Sequence, residues 1–235
     1  MKVTLWKYYL LIPALLGIVV TAKAEITDVS CVYETVENKV FDTEGHGHHS
    51  DTQKPTKWYF WRTDKTVEVS NAEQSFGERW ALTNKNTVFY QALYHDKKFL
   101  LDFQPADLKI LGQKANWEIR STLFPQKLLQ QLEKKKSGKF KQYTVVHYQG
   151  KVGGIEYQID WLPNLNLPAR VEKASLGKKV ITELKEIYPL AQSPYKQLVT
   201  EKYDDMDFAD IGDNESHPVV AQLQKSNGVG YFHQH

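Results

Sequence analysis

The feature that most constrains this chain is a succession of short runs rich in aromatic and β-branched residues, each bounded by turn formers. Lys57 to Arg62, Thr66 to Ser70, Arg79 to Leu82, Thr87 to Tyr94 and Phe99 to Phe103 make a first series, with His95-Asp96-Lys97-Lys98 as the turn between its last two runs. Phe140 to Tyr148, Gly154 to Trp161, Ala169 to Ala174 and Val180 to Tyr188 make a second, with tight turns at Gly150 to Gly153 and Ser175 to Lys179. Such side chains fit a pleated surface, so these runs read as strands of antiparallel hairpins. In Glu156-Tyr157-Gln158-Ile159-Asp160-Trp161 polar and apolar residues alternate, which sets one sheet face against apolar material and the other against water. Between the series, Pro125 opens Gln126 to Lys136, where Leu128, Leu129 and Leu132 recur at helical spacing before Ser137-Gly138; this pattern predicts one amphipathic helix. The fold class is mainly β (α+β), and the two strand series can belong to one continuous sheet.

The chain starts with a different signature. Lys2 and Lys7 precede an apolar run from Tyr8 to Val20 that ends at Ala22-Lys23-Ala24, the form of a cleavable secretory signal. The run is interrupted by Pro13 and Gly17 and is shorter than the roughly 20 apolar residues a spanning helix needs. Cleavage before Glu25 implies export to the periplasm without a stable transmembrane anchor. The whole chain carries 30 Lys and Arg against 28 Asp and Glu, and loss of Lys2, Lys7 and Lys23 leaves the acids in excess. A nucleic-acid binder needs the opposite balance. Cys31, the single cysteine, has no internal disulfide partner, and the simplest role for it is a small buried hydrophobe.

The strand Tyr157-Gln158-Ile159-Asp160-Trp161, the turn-and-strand Leu165-Asn166-Leu167-Pro168-Ala169-Arg170-Val171-Glu172 and the strand ending in Ile187-Tyr188 resemble the later strands of periplasmic lipoprotein-carrier-like proteins. By order of elements the resemblance runs from Trp58 to Tyr188, and its sharpest match is Leu-Pro-x-Arg. It implies a strongly curved antiparallel sheet, or half-open barrel, with a few covering helices over an apolar cavity. Neither Asp207 to Asp213 nor the histidine loop belongs to that pattern. The domain organisation expected is a signal peptide over 1–24, a curved-sheet domain over 25–195 and, over 196–235, an acidic turn, a short helix with Pro218 in its first turn and a frayed histidine-containing end. Trp58, Phe60, Trp80, Phe89 and Trp161 are the residues expected to line a ligand cavity, because aromatics supply large apolar area. Trp58 and Phe60 share one face of their strand and Tyr59 and Trp61 the other, so that strand is expected to be covered on both sides.

The densest set of metal-ligand types is His46, His48 and His49, flanked by Glu44 and Asp51 in a polar loop; imidazole there would suit copper or zinc. The carboxylates from Asp204 to Glu215 lack the spacing of a calcium loop, and a turn capping the next helix accounts for them more simply. There is no Gly-x-Ser-x-Gly elbow, no His-Glu-x-x-His helix, no phosphate loop and no dinucleotide fingerprint. The leading expectation is an exported, non-catalytic binding or carrier protein holding an apolar or amphipathic small molecule or lipid. The alternatives are a periplasmic metal-handling protein using the histidine loop, and an exported enzyme whose site leaves no local motif.

Overall fold

A computed structural model describes residues 28–40, 50–52 and 54–225. The first strand series forms β3 (Thr56–Arg62), β4 (Thr66–Asn71), β5 (Phe76–Leu82), β6 (Val88–Tyr94) and β7 (Phe99–Phe103). The second forms β9 (Tyr143–Val152), β10 (Ile155–Leu162), β11 (Leu167–Ser175) and β12 (Lys178–Pro189). Each series is an antiparallel meander, because its short turns leave room for nothing else. The strand that joins them was not among the expected runs. It is β1 (Val29–Val40), paired antiparallel with β3 over Val29 to Thr35 and with β12 over Val29 to Lys39. Its outer end also pairs with β2 (Ser50–Thr52).

Two further strands complete, among the described residues, a single thirteen-stranded sheet, curved and not closed into a barrel: β8 (Glu133–Phe140) and β13 (Asp204–Asp207). The order is β13-β7-β6-β5-β4-β3-β1-β12-β11-β10-β9-β8, and among the described residues only the β13–β7 pairing is parallel. The inner face of this sheet is covered by α1 (Pro105–Ile110), α2 (Trp117–Thr122) and α3 (Gln126–Leu129). The predicted helix over 126–136 is therefore cut to one turn. Leu129 and Leu132 are buried against Tyr157, Ile159 and Val171, but from Glu133 the chain pairs with β9. Helical spacing of three leucines does not outweigh a ladder of backbone hydrogen bonds, and a lysine-rich run suits an edge strand. Gly138 does not stop a helix. A Cβ there would lie 3.1 Å from His147 Nε2, so its role is close approach between β8 and β9. The expected strand over 140–148 is correspondingly divided: Phe140 ends β8, Lys141 and Gln142 make the turn, and Tyr143 to Tyr148 open β9.

The core fills the inner face. Cys31 and Tyr33 of β1, Phe60 of β3, Trp80 of β5, Tyr90 of β6 and Phe103 of β7 are all buried there with Leu162 and Leu167. The outer face of β1 and β3 has its own cover, where Leu190 and Tyr195 pack on Val32, Tyr59 and Trp61. The strand with aromatics on both faces is thus covered on both. The covering segment follows β12, starts with the 3-10 turn Leu190–Gln192, and crosses the sheet to β13 at its edge. The acidic residues 204–207 form a strand rather than the expected turn, and a 3-10 helix Phe208–Asn214 and α4 (Pro218–Lys225) follow. The short docked helix is present as α4, with Pro218 at its start and Val220 fully buried.

Candidate functional site

The aromatic wall of the inner face is built by register. Trp58 and Tyr33 are Cα partners across β3 and β1, and their rings stack with centroids 4.6 Å apart. Trp80 and Tyr90 are partners across β5 and β6 with centroids at 4.4 Å, and Tyr90 continues to Phe103 of β7 at 5.0 Å. Alternation along each strand selects these residues. It also sends Phe89 to the opposite face from Tyr90, so of the five expected cavity residues Phe89 lies outside this wall. Trp161 is buried in a second cluster, with Phe124, Leu129 and Ile159 under α3. Sequence reasoning missed Tyr33, Tyr90 and Phe103. Once a strand is assigned, its period of two places Tyr90 on a different face from Phe89, but nothing local marks β1.

Polar groups on this face tie the helical cover down. Arg62, at the end of β3 and 1% exposed, donates from Nη1 to the Ser121 carbonyl of α2 and from Nη2 to the Leu165 carbonyl between β10 and β11, each at 2.7 Å. Burial pulls its pKa down, a pull opposed by the nearby Cys31, Tyr33 and Asp28. Arg120 of α2 lies 4.0 Å above the Trp80 ring, and the Trp80 indole N–H donates to Glu78 at 3.4 Å. Burial lowers the Arg120 pKa as well, with Glu78 acting in the opposite sense. Tyr33 donates from its hydroxyl to the Pro168 carbonyl at 2.9 Å. The helices themselves start from signals that went unread: the Gln104 N–H is received by Asp107 Oδ2 at 2.7 Å ahead of Pro105, and Asn116 caps α2 through Ile119 N–H at 3.3 Å.

Cys31 is fully buried beside Phe60, and burial pushes its thiol up to about 12. It is a core residue, as expected, and carries no thiolate at neutral pH. His95 is buried at the β6–β7 turn with Nδ1 3.2 Å from the Tyr203 hydroxyl, and burial lowers its pKa. His147 sits 2.6 Å from Asp160 on β10. That pair lines a groove of about 270 Å³ with Lys135, Lys136 and Arg170, where β8 bulges between Lys134 and Ser137. His46, His48 and His49 lie outside the described residues. The nearest described residues on either side, Val40 and Ser50, are Cα partners of the β1–β2 pairing. Among the described residues, no group of three or more His, Cys, Asp or Glu side chains could hold a metal ion, and no helix is long and apolar enough to cross a membrane.

No protein-family model and no curated protein matches the chain. Solved structures do match, at low identity. PNGF-II is 12% identical over 78% of this chain with a TM-score of 0.37, and the chain spans 32% of that protein's length. MucB, in its complex with MucA(peri), is 8% identical over 74% of this chain and 54% of its own, with a TM-score of 0.35. An outer membrane lipoprotein-sorting protein domain from Vibrio parahaemolyticus is 10% identical over 73% of this chain and 88% of its own, with a TM-score of 0.29.

Proposed function

We propose that this protein is an exported, non-catalytic carrier that takes an apolar or amphipathic molecule between the inner face of its sheet and the helices that cover it. The observation that carries the reading is how the cover is held. A face lined by Tyr33, Trp58, Phe60, Trp80 and Tyr90 is closed by α2 through Arg62 and Arg120, which reach it from the sheet and from the helix. An apolar interface needs no buried guanidinium to stay shut, and burying one costs stability unless every donor is used. The two guanidinium contacts add directional ties to the apolar packing of Leu108, Trp117 and Leu123, and their release would help expose aromatic surface that would suit an acyl chain. Export through the leader before Glu25 would place that carrier in the periplasm.

The test is binding of a fluorescent fatty acid probe to the purified protein, together with mass spectrometry of its lipid extract. Arg62→Met should raise the rate of probe entry, and Trp58→Ala should lower probe affinity roughly tenfold, about 1.4 kcal/mol. A native preparation free of lipid, with no saturable probe binding in either the parent protein or the Arg62→Met variant, would overturn the reading. N-terminal sequencing of the exported protein should start at Glu25.

A further inference from the structure

The sheet has two free ends of opposite charge. At one end β8 contributes Lys134, Lys136 and Lys139, all exposed, and none of them has an ion-pair partner among the described residues; only Lys135 does, with Glu133 at 2.5 Å. At the other end β13 contributes Asp204, Asp205 and Asp207, also exposed and without an ion-pair partner among the described residues. The acidic end is held against its own repulsion. Asp207 is the Cα partner of Asp102 on β7, and like charges set opposite one another across a ladder destabilise it. Burial raises the Asp102 pKa despite a hydrogen bond from Gln91, and Asp205 and Asp207 add to the rise. Neither outer edge is paired with a strand of this chain among the described residues.

We infer that the occupant of the β8 edge is the β13 edge of a second copy of this chain, added strand to strand so that copies join head to tail. Lysines on an edge ordinarily prevent sheets from adding to one another. Here they do so selectively. Two β8 edges repel and two β13 edges repel, so the same charges that block like pairing favour the unlike one. Such an interface is heterologous, and it makes short open chains rather than a symmetric dimer unless its rotation closes a ring. With only four residues in β13, the contact is small, and association is weak and strongly dependent on salt.

Sedimentation velocity on the purified protein tests this. Species larger than the monomer should populate with concentration at about 0.02 M salt and dissociate at about 0.5 M, where the Debye length has fallen to a few ångströms. Lys134→Glu with Lys136→Glu and Lys139→Glu should be monomeric at low salt, as should Asp204→Lys with Asp205→Lys. An equimolar mixture of the two variants should associate again, which neither a misfolded variant nor a general loss of solubility can produce. A monomer at every salt concentration overturns the inference, and so does association that survives both charge reversals. Capture of a synthetic acidic strand peptide by a protein that remains monomeric also overturns it, and assigns β8 to a different partner.

Discussion

Leu176 is the residue whose conformation is least explained by its own chemistry. It is fully exposed at the tip of the β11–β12 hairpin with φ 45°, next to Gly177 at φ 73°. The neighbouring β9–β10 hairpin uses Gly153 and Gly154, at φ 59° and 83°, where a two-residue turn of that hand demands left-handed residues. A leucine there carries strain and gains no burial. Leu176→Asn should therefore stabilise the fold by about 0.5–1 kcal/mol, read as a shifted urea midpoint with unchanged slope. Cys31 makes the opposite kind of prediction. With its thiol buried and raised to about 12, it should resist a soluble thiol reagent at pH 8 in the native protein and react once in denaturant. Both residues were visible in the sequence, but only Cys31 had a role that could be read there. Leu176 lay inside an expected turn, and the handedness of that turn is a property of the two strands it joins.

At the scale of elements, the outer face of β10 to β12 and β1 is held by a ladder of charges. Arg170 pairs with Glu172 and with Glu183, Lys179 with Glu172 at 2.6 Å, and Lys185 with Glu183 at 2.6 Å and Glu34 at 3.5 Å. Burial pushes Glu172 up, but hydrogen bonds from Lys179 and Arg170 outweigh it, and the net value lies below the ordinary carboxylate. A hydrogen bond from Lys185 holds Glu183 below it as well. Both folded values are depressed, so the stability these groups add is complete above the ordinary carboxylate value and is lost as pH falls through the lowered folded values. The double variant Glu172→Gln, Glu183→Gln should unfold a few degrees below the parent at pH 7, and the two melting temperatures should converge in acid. The alternating strand Glu156 to Trp161 already announced a wet face here. Which acid meets which base depended on register, including the bulges at Val32/Tyr33 and Asp160/Trp161.

For the whole molecule, the segment between β12 and β13 decides whether the first half of the sheet can stay in water. It runs across the outer face and is pinned in turn by Ser193 to Ser30 at 2.7 Å, by the Trp61 indole donating to the Tyr195 carbonyl at 3.0 Å, by Gln197 to Glu68 at 3.0 Å and by Arg79 to Thr200 at 3.3 Å. Beneath it lie Val32, Tyr59 and Trp61, the last only 2% exposed. A chain ended after Gln192 should therefore expose these rings, bind a hydrophobic dye and aggregate, whereas one ended after Lys225 should not. Trp61→Ala in the full chain should cost about 3–4 kcal/mol by chemical denaturation.

The sequence by itself determined the elements whose evidence is local. The expected strands recur with most ends shifted, except that the run over 140–148 is divided between β8 and β9, because alternation and turn chemistry act over a few residues, and the mainly β class follows from them. The aromatic pair of faces on β3 was legible for the same reason. Tertiary structure alone decided what depends on partners distant in the chain. β1 is central because it sits between β3 and β12, the latter some 150 residues away; the lysine run became an edge strand because β9 was there to receive it. The inner wall of Tyr33, Trp58, Phe60, Trp80 and Tyr90 exists only once those registers are set. A period of two tells which residues share a face, but the hydrogen bonds between strands tell which faces become one surface.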